Sequence, residues 1–328
     1  MIDLLPIIKD SFSKYKIRDM QLDPNGLCNA GCWFCPVKYL GNPKESQGQM
    51  PVDLLEKIFA NIVSERRPDG LVDMGFNGFY TAHYNEILMY KYFEDLLKLC
   101  RKYNFIFMVL SNGTTLTPKK TDLLVEYQDV LSGVCLNVPC FEPELWSKRV
   151  NLSEKLFPQL VTNIKYFIDH HPMKLSIQVN GWNKENNWLD KGPNFPEDLT
   201  DEENDRQVEI AKSMFPQANV FKVFHLIDRA GYIADVITNK NAIDRYNGNK
   251  QVIGCMNSYE TGGRPVGWVH VNAHGECFLC CNDYTMEIKF GDFKTQELKD
   301  FWGKEDHINK IKESYETICK KCASAKYL

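Results

Sequence analysis

Between about residues 18 and 231 the chain alternates short β-rich runs with longer amphipathic stretches. The runs RDMQLD, GLVDMGF, FIFMVLS, GVCLNV, KLSIQVN and NVFKVFHL are strand candidates. Several are nearly continuous in apolar residues, the pattern of parallel strands covered on both faces. Between them, PVDLLEKIFANIVSERR opens with a proline of the kind that helices tolerate in their first turn. EILMYKYFEDLLKLCRKY repeats apolar residues at helical spacing. TPKKTDLLVEYQ and NLSEKLFPQLVTNIKYFIDHH follow the same period, with Pro158 expected to begin or bend the second. Strands alternating with helices in this way predict an α/β fold, a partial (β/α)6 parallel barrel.

Residues 180–204 break the rhythm. They are rich in Asn, Gly, Pro and acidic groups and read as a long loop, a lid over a site. From about residue 246 the pattern changes to short runs with glycines and paired cysteines, closing with an EIKF–GDF turn and two short helical pieces. We therefore expect a barrel domain over 1–240 and a small C-terminal domain over 241–328.

Composition narrows the function. The 328 residues are 44% apolar and 25% charged, too apolar for a disordered chain. A net charge of −4 does not suit a general binder of nucleic acid or of membrane surfaces. No apolar run approaches the roughly 18 residues of a membrane span. The opening MIDLLPIIKDSFSKYK mixes charged with apolar groups and lacks the uncharged core of a signal peptide. A cytoplasmic protein with no nucleic-acid or membrane partner is the expectation. The unusual feature is twelve cysteines. In a large chain without a secretion signal they do not read as a disulfide scaffold. Cys28, Cys32 and Cys35 cluster near the start, and Cys100, Cys135 and Cys140 stand apart. Cys255, Cys277, Cys280, Cys281, Cys319 and Cys322 fall in the last quarter. Clusters at opposite ends suggest metal chemistry.

The segment LDPNGLCNAGCWFCPVKYLG holds C-x3-C-x2-C directly after the first strand candidate. Three thiolates this close can hold three irons of a cubic cluster and leave the fourth iron without a protein ligand. Zinc would need a fourth ligand, and no His, Asp or Glu follows closely. Three packed core cysteines would sit in a more periodic apolar segment than this one. The motif resembles that of the radical S-adenosylmethionine (radical SAM) superfamily, C-x3-C-x-aromatic-C after the first barrel strand, with Phe34 as the aromatic residue. The resemblance implies a [4Fe–4S] cluster whose open iron binds S-adenosylmethionine (SAM). It further implies one-electron cleavage of SAM and hydrogen abstraction from substrate by a 5′-deoxyadenosyl radical. An electron donor such as flavodoxin or ferredoxin is implied as well.

The family's element that contacts the SAM amino group, Gly-Gly-Glu or Asn-Glu-Pro, matches Asn85 and Glu86, with Ile87 in the place of proline. Glu86 has a second reading as a helix N-terminal acid. SNGT at 111–114 matches the turn that meets the SAM carboxylate or ribose, which singles out Ser111, Asn112 and Gly113. Its plain reading is an Asn-Gly turn. Barrel enzymes place function at the C-terminal ends of strands, so Asn137, Gln178, Asn180, His225 and Arg229 are further candidates. For Arg229 the resemblance implies a SAM or substrate contact. Cys140, after the fourth strand, is a candidate hydrogen donor to a substrate radical, with a small buried hydrophobe as its alternative. His83, His225, His270 and His274 are read first as ordinary surface or core histidines.

The tail resembles the SPASM/twitch extension of radical SAM proteins: a cysteine, then G-x4-C after a hairpin, then C-x2-C. Gly275 with Cys280 satisfies G-x4-C, and WVHVNAHGECFLC alternates about a turn at Ala273, His274 and Gly275. The resemblance implies Cys255, Cys280, Cys319 and Cys322 as ligands of one auxiliary [4Fe–4S] cluster. No cysteine lies between Cys281 and Cys319, so the single-cluster twitch form is the better match. Cys277 and Cys281 are alternatives to Cys280, and structural zinc on the same thiolates is the rival.

Radical SAM proteins with such tails modify peptides or act on carbohydrates and aminocyclitols. Only 27 residues precede Cys28, which leaves no leader-binding domain and points to a small polar substrate. The expected reaction is hydrogen abstraction from a carbohydrate- or aminocyclitol-like molecule, leading to oxidation or epimerisation. Peptide crosslinking or epimerisation is the alternative within the family. A non-catalytic zinc-binding interaction protein is the alternative outside it.

Overall fold

A computed structural model describes residues 2–81, 84–180, 195–223, 229–233, 250–258, 260 and 262–328. Six strands carry the barrel: β1 (Asp19–Leu22), β2 (Gly78–Tyr80), β3 (Ile106–Ser111), β4 (Leu131–Asn137), β5 (Ser176–Asn180) and β6 (Asn219–Val223). Each pairs in parallel with the next. Among the described residues the helices of this part are α1 (Leu5–Lys14), α2 (Pro36–Leu40), α3 (Val52–Ser64), α4 (Phe93–Tyr103), α5 (Pro118–Glu126), α6 (Pro143–Val150), α7 (Phe157–His170) and α8 (Asp201–Met214).

Alternation along the strands sorts the side chains into two layers. Met20, Leu22, Val109, Val134, Leu136, Ile177 and Val179 enter the main core with α3, α4 and α7. On α3, Leu54, Leu55, Ile58, Phe59 and Ile62 are buried at helical spacing. Each such side chain contributes about 1.5–3 kcal/mol through burial. The intervening strand residues, among them Gln21, Cys135, Asn137 and Gln178, point to the inside of the barrel instead. The helix side is apolar, and the inner side mixes these polar groups with apolar ones such as Leu110.

The sheet continues beyond the barrel. Strands β7 (Val252–Cys255), β8 (Trp268–Val271), β9 (Glu276–Phe278), β10 (Lys289–Asp292) and β11 (Ala325–Tyr327) follow. The order of the nine-stranded sheet is β10-β9-β8-β1-β2-β3-β4-β5-β6. β8 lies parallel to β1, with Met20 opposite Val269 and Leu22 opposite Val271. β7 and β11 form a separate antiparallel ribbon in which Ala325 faces Cys255. No helix among the described residues is long and apolar enough to cross a membrane.

Several expectations are corrected. GLVDMGF is not a strand: Val72 makes only isolated bridges, to Ile17 and Arg66. Asp73 interrupts the run, because its Oδ1 accepts from Gly75 N at 2.9 Å and folds the chain back. The second strand forms later, at Gly78–Tyr80. The helix expected from residue 86 starts at Phe93, because Glu86 caps a separate 3-10 turn, Ile87–Met89. Pro158 does begin its helix, in the first turn of α7. The end of the expected 180–204 loop is helical: Thr200 caps α8 by accepting from Glu203 N at 3.2 Å. The EIKF–GDF segment contains β10 rather than a turn. The expected boundary near residue 240 lies outside the described residues.

Candidate active site

Beyond β1 the chain runs into the first cysteine motif, and that loop is held from several sides. A Cβ at Gly26 would sit 1.4 Å from the Ser46 carbonyl oxygen, so only glycine lets the two backbones pass. Asn25 Nδ2 donates to the carbonyls of Leu27 at 2.8 Å and Glu86 at 2.7 Å. Cys28 N donates to Asn42 Oδ1 at 3.0 Å. The last carbonyls of α6 accept from the motif, Val150 O from Gly31 N and Arg149 O from Trp33 N, both at 2.9 Å. Trp33 is buried against Phe195, Leu199 and Ile233. The three thiols are placed by backbone, not by chance packing.

They line a cavity of about 260 Å³ at the C-terminal ends of the strands. Cys28, Cys32, Phe34 and Cys35 make one wall; Tyr84, Asn85, Glu86, Ser111 and Asn112 make another. Cys135, Asn137, Gln178 and Arg229 also line it, together with the apolar Ala30, Pro36 and Leu110. Glu86 ties the two strand ends together. Its Oε1 accepts from Ser111 Oγ at 2.8 Å and from Leu88 N at 3.1 Å, and its Oε2 accepts from Asn112 N at 2.8 Å. Burial pushes its carboxyl up, and these three donors oppose the shift. Glu86 thus caps the 3-10 turn and lines the cavity. Asn85 donates to Asp23 Oδ1 at 2.6 Å. Asn112 Nδ2 donates to Asn29 Oδ1 at 2.8 Å and stands 3.9 Å from Cys28 Sγ.

Two expected residues stand just behind the wall. Gly113 shapes the turn at φ +78°, its N on Ser111 Oγ at 2.9 Å. Asn180 accepts from Gln178 Nε2 at 3.1 Å and so orients it. Cys140 is displaced from the site altogether: it is fully buried on the helix side of the sheet, with the Arg149 charge nearby. The thiol from β4 that does face the cavity is Cys135, which the sequence analysis did not single out. Its position two residues from Asn137 on the same strand is the signal that would have found it. His83 and His225 lie outside the described residues. His270 and His274 line neither this cavity nor the one in the tail.

The tail gathers a second set of thiols. Cys255, Cys280, Cys319 and Cys322 line one small enclosed void. The β7–β11 ribbon brings Cys255 toward the Cys319–Cys322 turn. Cys322 Sγ accepts from Asn282 Nδ2 at 3.3 Å and from Ser324 N at 3.4 Å. Such N–H···S bonds suit sulfurs that carry the charge of thiolates on iron. Burial pushes the Cys28 thiol up to about 12 and that of Cys280 well above its ordinary value, so either would be a thiolate only when bound to a strong cation. Among the described residues no three His, Cys, Asp or Glu side chains close on a single ion. Cys277 is apart, fully buried in the main core. Cys281 faces the barrel, its carbonyl accepting from Tyr84 OH at 2.9 Å.

The comparisons agree with this arrangement. The sequence model of the radical SAM superfamily matches residues 24–188, half of the chain, and the SPASM iron–sulfur cluster-binding domain matches 263–323. No curated protein matches the sequence. Among solved structures, BtrN in complex with AdoMet and 2-DOIA is similar at 15% identity and a TM-score of 0.53, covering 94% of this chain and 93% of that one. Streptococcus suis SuiB bound to precursor peptide SuiA is similar at 13% identity and 0.58, covering 94% and 70%. For anSMEcpe with bound AdoMet the values are 15% and 0.56, covering 93% and 86%. The chain belongs to the radical SAM superfamily and carries a SPASM domain, which makes it an enzyme using a [4Fe–4S] cluster and SAM, with auxiliary iron–sulfur binding in its tail.

Proposed function

We propose that this enzyme abstracts hydrogen from a small polar substrate, carbohydrate- or aminocyclitol-like, leading to oxidation or epimerisation. The observation that carries this reading is the amide-rich lining opposite the cysteine triad. Asn137 and Gln178 are register partners on adjacent strands, and both line the cavity. Carboxamides offer donors and acceptors together, which suits hydroxyl and amino groups. Among the similar structures, BtrN is in complex with 2-DOIA, whereas SuiB and anSMEcpe are bound to peptides. The lining, not those likenesses, is what supports a small polar substrate here.

In this reading Cys28, Cys32 and Cys35 hold the SAM-binding cluster, and Cys255, Cys280, Cys319 and Cys322 hold one auxiliary [4Fe–4S] cluster. When bound, cluster and SAM together supply the reductive cleavage of SAM and the radical that takes hydrogen from substrate. The chain's own residues bind and orient. Glu86, fixed by its three donors, and Asn85 meet the SAM amino group. Ser111 and Asn112 meet its carboxylate or ribose, and Phe34 lines the SAM side of the cavity. Asn137 and Gln178, the latter steered by Asn180, hold the substrate. Residues 1–240 form the barrel domain and 241–328 the auxiliary-cluster domain, and a flavodoxin- or ferredoxin-like donor supplies the electron. A peptide substrate is the alternative, favoured by β6, an outer strand of the sheet that exposes Phe221.

Anaerobically purified enzyme should contain about eight irons per chain, two cubanes. Dithionite should then release 5′-deoxyadenosine from SAM. Deuterated sugars and aminocyclitols should pass deuterium to that product. About four irons with one zinc would remove the auxiliary cluster from the account. Transfer from peptides and from none of the polar small molecules would replace the substrate class.

A further inference from the structure

Arg229 occupies the ground between the two sets of thiols. Its guanidinium lies 5.4 Å from the centre of the Tyr84 ring, and it lines the cavity together with Cys35. Tyr84 reaches the other way, its OH on the Cys281 carbonyl and its ring 4.6 Å edge-to-face from Tyr284. The ionisable groups whose charges act on Arg229 are Tyr84, Cys281, Cys35 and Cys280. Among the described residues no carboxylate pairs with it. The backbone is set specially to hold it there. Arg229, Ala230 and Gly231 have successive positive φ of 53°, 54° and 88°, and Tyr84 has 61°. Left-handed non-glycine residues persist where the surrounding structure fixes them, and they gather at functional sites.

A partly buried guanidinium is stabilised by an anionic partner. Among the described residues, the groups whose charges act on Arg229 are thiols and a tyrosine. We propose that Arg229 is a shared counter-charge for the two clusters, holding the reduction potentials of both up and coupling them electrostatically across Tyr84. The inference rests on the ligand assignment proposed above. It makes Arg229 a positioning and tuning residue, distinct from the SAM or substrate contact expected for it from sequence. Removing a fixed positive charge destabilises the reduced, more negative state of each cluster, so both potentials must fall.

The test is an EPR-monitored redox titration of the reconstituted enzyme, with iron counted in the same samples. Wild type must show two clusters; if it does not, the ligand assignment fails and not this inference. In Arg229→Gln both midpoints should move negative, by at least tenfold in the one-electron equilibrium, about 59 mV. Arg229→Lys should restore most of the shift. Movement of the SAM-binding cluster alone, or of neither, would overturn the proposal. If Arg229→Gln does not assemble, Arg229→Met replaces it as the neutral variant. Should both neutral variants lose their clusters, retention of both by Arg229→Lys supports the counter-charge role, and loss in Arg229→Lys too overturns it.

Discussion

Cys135 and Cys140 show how one strand position decides what a thiol can do. Cys135 shares a face of β4 with Asn137 and enters the cavity, whereas Cys140 lies past the strand end and turns into the helix-side core. His307 makes the opposite case, a titratable group with no place in the chemistry. It stacks on Phe290 at 3.6 Å, accepts from Gly303 N at 3.1 Å, and burial pushes its imidazole down to about 3. In the unfolded chain it titrates near 6.5. As pH falls below that value the unfolded state takes up the proton first, so native stability drops by up to about 1.4 kcal/mol per pH unit until the folded pKa is reached. Thermal unfolding at pH 7 and pH 5 should therefore show a smaller loss of Tm in His307→Leu than in wild type. Equal losses in the two proteins would count against this account.

Among the elements, the loop after β1 is the most constrained. Its tight passage at Gly26 against Ser46 sets where Cys28 begins. Gly26→Ala must displace one backbone or the other, and the displacement is transmitted to the cysteines through Asn25 and Asn42. We expect this variant to lose about half of its iron, the share of one cubane of two, because the tail site is built on other elements. Loss of all the iron, or full retention, would show that the loop is not what places the first cluster. The element-level reading of the sequence worked best where the period was long. On α3 the helical spacing of apolar residues was legible, and the structure agrees. It failed at GLVDMGF, where composition favoured a strand but the Asp73 side chain bonded its own backbone first.

For the molecule as a whole, the tail is part of the barrel's sheet. β8 covers the edge of β1 along its full length, with Asp19 opposite Trp268 and Leu22 opposite Val271. Without it, β1 would present a bare edge of unpaired N–H and C=O groups beside an opened core. A chain ending at residue 250 should accordingly fail to give a monomeric folded barrel. Size-exclusion chromatography and circular dichroism would detect this as aggregation or loss of cooperative unfolding. A stable monomer of native helix content would show that the two parts fold independently.

Local order alone determined a good deal about this protein. Cysteine spacing marked both cluster motifs, alternating runs marked five of the six barrel strands near their observed places, and Asn-Gly and Gly-rich turns marked loop and hairpin. These signals survive in sequence because ligand spacing, helical period and turn chemistry act over a few residues. Other features arise only when distant segments meet. The pairing of β8 with β1, the cavity position of Cys135, the Glu86 tie across two strands and the place of Arg229 between the thiol sets are of this kind. Each joins residues far apart along the chain, and only the tertiary packing of the sheet brings them within bonding distance.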